Sequence, residues 1–327
     1  MQVDVVTGGT RGLQLDAELI KSSLHSGDIC NIYTPRRRNL QLPLTRVKLG
    51  LQCRLLGRPD LLIFLENIHS SWAKIPTKKI LISNQEWIRK ESLPSFSNCE
   101  EIWCKTRYAH KQFSERGYRS RYIGFKSRDL LIDAHEKNQN LCIHVAGRSH
   151  LKGTRTLLEL WKRHSEWPQL LVIATPSDWI QSFRSSNIRL QRNDLSDTAI
   201  RKIMNEASIH LCPSEAEGFG HYISEAMSTK SLIVTTDAPP MNEIANGPFS
   251  FRASIYSKEP MGFGERFFPD PDSLEQQIQQ ALATNSQERL KYGTMARQTF
   301  IEQSTNFDSL VREAISTVAG KSIQPAP

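Results

Sequence analysis

The chain has 327 residues, with 39% hydrophobic and 23% charged residues and a formal net charge of +8. That length is enough for two buried cores, and that composition argues against intrinsic disorder. No apolar run reaches the ~18–20 residues needed to cross a bilayer, and Met1–Val6 reads as a strand rather than a leader, so a soluble, cytoplasmic or peripheral protein is expected.

The basic excess is uneven. Residues 1–137 hold 23 Lys and Arg against 14 Asp and Glu, whereas residues 138–327 hold 19 against 20. An anionic partner for the first half is therefore expected. The cysteines Cys30, Cys53, Cys99, Cys104, Cys142 and Cys212 form no C-x-x-C pair, which points to reduced thiols rather than a metal site.

In chain order, Val3–Val6 reads as a strand that turns through Gly8-Gly9 into a helix over 13–24. Strands follow at 29–33, 61–65, 80–82 and 102–104, then a helix over 106–116 ending at Gly117. Between the first of these strands, Arg36, Arg37, Arg38, Arg46, Lys48, Arg54 and Arg58 flank Leu42, Leu44, Val47, Leu51 and Leu55. A helix at 44–57 would pack this apolar face on the core or lay it on an anionic membrane. No nucleic-acid module is visible, so no nucleic acid is expected.

The polar stretch 129–140 marks a boundary between domains 1–137 and 138–303. A second alternation follows: strands at 141–146, 170–174, 209–212 and 232–235, and helices at 153–164, 195–207 and 220–228. Helices 271–284, 286–301 and 306–318 end the pattern, leaving a loose tail at 321–327. Such alternation predicts an α/β fold of two doubly wound parallel sheets. Ligands would bind outside the strands' carboxyl ends, in a cleft.

The most informative string is Cys212-Pro-Ser-Glu-Ala-Glu217-Gly218-Phe219-Gly220-His221-Tyr-Ile-Ser-Glu225-Ala-Met. Gly218 and Gly220 let backbone approach a ligand, and the following helix turns its free N–H groups toward phosphate or hydroxyl oxygens. Glu217 and Glu225 offer two carboxylates, one able to accept sugar hydroxyls and the other ribose hydroxyls. The plainer account is a capped helix with two solvated acids.

Glu217–Ala226 resembles the E-G-F-G-x-x-x-x-E-A hallmark of the GT-B glycosyltransferases, specifically glycosyltransferase family 4. His144–Thr154, with Gly147-Arg148 and Lys152-Gly153, resembles that family's first C-domain loop. Residues 82–87, 102–106, 123–127 and 268–274 read like further superfamily text.

The resemblance implies two Rossmann-like domains facing a central cleft and a nucleoside-diphosphate sugar held by the second. Glu217 would contact the sugar and Glu225 the ribose, with Gly9, Gly218, Phe219, Gly220 and His221 around the donor. Arg148 and Lys152 would clasp the diphosphate. Residues 304–320 would cross back to the first domain. Transfer would retain configuration at a glycan, lipid-linked or other hydroxyl acceptor, with no essential metal. Asp270-Pro-Asp272 looks like a metal-chelating D-x-D but reads as a turn and N-cap.

The family's N-domain His is missing from Ile82-Ser83-Asn84. His69, Asn84 and Glu86 are the acceptor-side candidates. Two alternatives stay open. One is an inactive sugar-nucleotide-binding protein of the same fold. The other is a short-chain dehydrogenase, suggested by Thr7–Gly12; that reading lacks Gly at Gln14, a Tyr-x-x-x-Lys pair and the ribose-binding acid after the second strand.

Overall fold

The computed structural model describes residues 1–34, 58–68, 70–73, 75–133, 135–175, 180, 183, 185–192 and 194–320. The 44–57 helix, His69 and the 321–327 tail lie outside them. The described chain divides into two compact units. Unit 1 comprises Met1–Phe125, Met261–Gly264 and the chain from Ser304; unit 2 comprises Lys126–Pro260 and Glu265–Gln303.

Unit 1 runs β1 (Val3–Val6), α1 (Arg11–Ser22), β2 (Ile32–Tyr33), β3 (Leu61–Leu65), α2 (Ser70–Ala73), β4 (Lys78–Ile82), two 3-10 segments (Gln85–Trp87 and Lys90–Asn98), β5 (Glu101–Cys104), α3 (Arg107–Ser114) and β6 (Ser120–Tyr122). The strands form one parallel sheet in the order β2-β1-β3-β4-β5-β6. All five residues of β3, Leu-Leu-Ile-Phe-Leu, are buried, as a strand covered on both faces requires. Thr10 and Thr106 cap α1 and α3 by accepting from the Leu13 and Ala109 amides.

Unit 2 runs β7 (Asn138–Gly147), α4 (Thr154–Arg163), β8 (Gln169–Ala174), β9 (Ile188–Arg192), α5 (Asp197–Glu206), β10 (Ala207–Cys212), α6 (His221–Ser228), β11 (Leu232–Thr236), α7 (Met241–Ile244), β12 (Ser250–Ala253), a paired β13 (Ile255–Met261) and β14 (Gly264–Pro269), α8 (Pro271–Ala283) and α9 (Ser286–Ala319). Its sheet order is β12-β11-β10-β7-β8-β9, again parallel. Successive strands leave β7 in one direction and β10 in the other, so the switch point lies between these two neighbours. Trp161 and Trp167, 4.7 Å apart edge to face, anchor the core beside α4.

Two expectations are corrected. The last helices are not separate, because 286–319 is one helix. Gln303-Ser304-Thr305-Asn306 is polar but holds no Gly or Pro to stop it. Ala296 and Phe300 are buried in unit 2, and Phe307, Val311 and Ile315 in unit 1. The polar break therefore marks where the helix changes the unit it belongs to. The units also divide just after Phe125, a few residues ahead of the boundary expected at 129–140. Arg128, Leu130 and Ile132 bond Glu225, Ser228 and Asn205, which places them in unit 2.

Asp270 caps α8, its carboxylate accepting from the Ser273 amide at 2.8 Å, as the turn-and-cap reading of Asp270-Pro-Asp272 expects.

Candidate functional site

The loops after β7 and β10 are built as one piece. Gly153, at φ +66, ends the first loop; a Cβ there would sit 2.3 Å from the Pro213 carbonyl oxygen. Glycine is thus required both for the left-handed backbone and for the close approach. The Glu215 amide donates to the Leu151 carbonyl at 2.8 Å, and Arg266 clamps the Glu215 carboxylate at 2.6 and 2.7 Å. Behind the loops, buried His144 donates from Nδ1 to the Leu211 carbonyl at 2.8 Å and accepts at Nε2 from Thr154 at 2.9 Å. This ties β7, β10 and the start of α4 together. Burial pushes the His144 imidazole down to about 4, so it is a neutral strut.

Lys152 and Glu217 meet directly in a largely buried ion pair. Ser214 Oγ also donates to Glu217 Oε1 at 2.5 Å, and the buried Tyr222 hydroxyl supplies Ser214 at 2.6 Å. Lys152 Nζ lies 3.7 Å from the Tyr222 ring centroid, a cation–π contact that fixes the ammonium from a second side. The acid is thereby oriented by three groups. Arg148 lies one residue beyond β7, is exposed, and has no hydrogen-bond or ion-pair partner among the described residues. Gly218 and Phe219 are buried in the turn. Gly220, at φ +97, is the residue from which α6 starts.

Glu225 lies on α6, buried, and accepts from Arg128 Nε at 2.8 Å. Arg128 Nη1 also reaches Asp197 at 3.3 Å. His221 opens α6 with Nδ1 2.8 Å from Ser127 Oγ. The structure thus brings Glu217 and Lys152 into contact and puts Arg148, Gly218, Phe219, Gly220, His221 and Glu225 on the same unit.

Gly9 is exposed in unit 1, with nothing within 4 Å of where its Cβ would point. Asn84 Nδ2 donates to Glu66 Oε1 at 3.0 Å. Glu86 is buried, its carbonyl beside the Gly262 turn. A pocket of about 940 Å³ opens at the carboxyl end of β3, lined by Glu66, Asn67, Trp87, Arg89, Ser92 and Asn98 among others. Burial raises the Glu66 carboxyl above the usual range.

Sequence reading missed Arg128, Ser214, Tyr222 and His144 as supports of the site. Ser214 and Tyr222 sit inside the motif and were legible as neighbours three residues before Glu217 and three before Glu225. Arg128 reaches Glu225 across 97 residues, and no local pattern carries that.

The model of the family "Glycosyl transferases group 1" matches residues 127–299, just over half the chain. The chain belongs to the glycosyl transferases group 1 family. The match contains every loop of unit 2 described above.

A search of curated protein sequences finds no match. Solved structures are similar to this group 1 member in fold. A glycosyltransferase from Rickettsia africae superposes with a TM-score of 0.76 at 12% identity, covering 98% of this chain and 99% of that one. The E. coli trehalose-6-phosphate protein bound with UDP-2-fluoro glucose gives 0.67 at 9% identity over the full length of both. The pneumococcal O-GlcNAc transferase GtfA, in complex with UDP and GlcNAc, gives 0.60 at 13%, covering 85% and 60%. The fold is GT-B.

Proposed function

We propose that this group 1 glycosyltransferase moves a sugar from a nucleoside-diphosphate sugar to an acceptor hydroxyl, with retention of configuration and without an essential metal. The observation that carries the reading is the Lys152–Glu217 pair, set by Ser214 and Tyr222 at the switch point between β7 and β10, beside the start of α6. That edge is where doubly wound sheets take phosphorylated ligands. The neighbours solved with UDP or a UDP-sugar support a donor of that class.

In this reading Arg148, exposed and without a partner among the described residues, meets the diphosphate, and Lys152 joins it. As the anomeric C–O bond breaks, the electron pair goes to the phosphate oxygen, and the two fixed cations stabilise the growing charge. Glu217 accepts hydroxyl hydrogens of the donor sugar. Glu225, steadied by Arg128, accepts those of the ribose. Gly218, Phe219, Gly220 and His221 shape the donor site, and Gly9 is assigned to the donor from unit 1. The acceptor oxygen attacks on the face the phosphate leaves, and a donor phosphate oxygen takes its proton.

We assign unit 2 to the donor and unit 1 to the acceptor, with 304–320 returning to the first domain. The Trp87 pocket, with Glu66 held by Asn84, supports a polar acceptor such as a glycan or a lipid-linked sugar. His69 and Glu86 remain acceptor-side assignments. The basic first half suits an anionic membrane surface, and a cytoplasmic or peripheral location fits both substrates. Among the described residues no helix is long and apolar enough to cross a membrane.

Donor hydrolysis and transfer, followed by NMR of the product anomer, test the proposal. Glu217→Ala should lower turnover by about 10²-fold or more, a loss of the size seen when a fixed polar partner of the transition state is removed. An inverted product would refute the retaining route. The strand β4 ends at Ile82, and the following Ser83-Asn84 lack the family's His, which favours a second reading as an inactive sugar-nucleotide binder. Equal background turnover in wild type and Glu217→Ala would establish it.

A further inference from the structure

A second cavity of about 400 Å³ lies wholly within unit 2, at the opposite edge of its sheet from the donor loops. Lys137 immediately precedes β7, Ser208 lies at the start of β10 and Lys230 sits just before β11, so three neighbouring strands present their amino ends to it. The far wall is the first turn of α9, with Ser286 and Arg289. Strands of this length put the two edges of the sheet on the order of 20 Å apart.

Three cations converge there, and none has a carboxylate partner among the described residues. Lys137 Nζ donates to the Ala207 carbonyl at 2.9 Å and Ser231 Oγ at 2.7 Å. An ammonium carries three donors, so one remains. Arg289 spends its guanidinium on neutral acceptors: the carbonyls of Leu282 at 2.7 Å and Thr284 at 2.8 Å, Gln139 Oε1 at 3.0 Å and Ser208 Oγ at 3.0 Å. Its charge is therefore held rigidly and left uncancelled. Lys230 is exposed at the rim. His135 completes the ionisable lining. It faces Glu206 at 3.9 Å, and that acid also serves Lys202 at 3.7 Å.

The wall is preformed. Gly293 seats α9 against the Lys230 turn so closely that a Cβ would come 2.4 Å from the Lys230 carbonyl oxygen. Loss of water and the nearby Lys230 charge push Lys137 down to about 7. Like charges gathered in a partly enclosed cavity repel one another and lose solvation, and an anion among them relieves both.

We infer that this cavity is a binding site for a small phosphorylated anion, held by Lys137 and Lys230 in the field of the Arg289 charge and separate from the donor loops. Its volume, within the ~300–1,000 Å³ of small-molecule sites, fits a phosphate-bearing metabolite of sugar size.

The test is calorimetric titration of the full chain with orthophosphate and with glucose 6-phosphate, chloride balancing ionic strength. Saturable binding is expected. It should weaken about ten-fold in Lys137→Met and several-fold in Lys230→Gln, and persist in the Arg148→Ala/Lys152→Ala double variant. Tighter binding of glucose 6-phosphate than of orthophosphate would identify a phosphorylated sugar as the ligand; equal binding would identify the phosphate group alone. Should Lys137→Met fail to fold, Lys230→Gln on the exposed turn decides. Absence of saturable binding in wild type overturns the site. So does binding that survives both single variants but disappears in the double variant, since the anion would then occupy the donor loops.

Discussion

The loops after β7 and β10 in unit 2 and those after β3 and β4 in unit 1 both leave the carboxyl edge of a parallel sheet, yet they are built differently. In unit 2 the charges are oriented before any ligand arrives: Lys152, Ser214 and Tyr222 fix Glu217, and Arg128 fixes Glu225. In unit 1 a wide pocket carries Glu66, Trp87 and Arg89, with Asn84 tethering the Glu66 carboxylate. A reaction that stabilises charge on a leaving group needs rigid partners, whereas recognition of a polyhydroxyl acceptor tolerates a looser frame. The difference supports the proposed division, with the chemistry in unit 2 and the selection of the acceptor in unit 1.

The most severe way to break unit 2's pre-organisation is at Gly153. Gly153→Val combines φ +66 with a Cβ 2.3 Å from the Pro213 carbonyl, so the two loops must part. A loss of roughly 3 kcal/mol in unfolding free energy is expected, read by urea denaturation, with donor binding lost alongside it. If Gly153→Val keeps wild-type stability, the loops are not one piece.

Acid attacks the same region through its struts. Burial holds His144 at about 4 and His210 at about 3, against an ordinary 6.5. Both folded-state values lie below the unfolded one, so the unfolded chain takes up protons that the folded chain refuses. Stability is complete above pH 6.5 and falls as pH drops toward 4, by about 1.4 kcal/mol per pH unit for each histidine. Urea midpoints measured from pH 7 to 4 check this. In His144→Gln the slope should fall by one histidine's share; an unchanged slope would remove His144 from the account.

Arg128 sharpens the comparison from the ribose side. Arg128→Ala leaves the buried Glu225 carboxylate without its 2.8 Å donor, so the acid loses its orientation. Donor Kd should rise about ten-fold, which is about 1.4 kcal/mol. Turnover at saturating donor should change less than Kd does.

How much of this was legible follows the same division. The donor loops could be read because each occupies one short string, and glycine at Gly153 and Gly220 advertises the left-handed turns that the backbone adopts there. The buried strands β3, β7, β10 and β11 were legible as apolar runs. The edge strands β6 and β9 were not, since Ser-Arg-Tyr and Ile-Arg-Leu-Gln-Arg are rich in polar residues and none of their residues is fully buried. The β13–β14 pair was missed as well. Lys258, Glu259 and Glu265 make it look like a loop, and its turn residue Phe263 is held in unit 1 by Phe113, with ring centroids 5.6 Å apart. The Arg128–Glu225 and Asn84–Glu66 bonds join residues 97 and 18 positions apart, where chain spacing carries no signal.

The smallest expected effect tests the looser unit. Trp87 is 48% exposed, an unusual state for a large aromatic unless its face is used, and it stands beside Glu66, Ser92 and Asn98. An indole face packs on the C–H face of a pyranose while the carboxyl and amide groups meet its hydroxyls. Trp87→Ala should therefore raise acceptor KM by several-fold, about 1 kcal/mol, with donor Kd unaltered, since Trp87 is not among the proposed donor contacts. Tryptophan fluorescence titrated with acceptor gives the same constant without turnover. A variant that shifts donor Kd and leaves acceptor KM alone would reverse the assignment of the two units, since selection and chemistry would then share one frame.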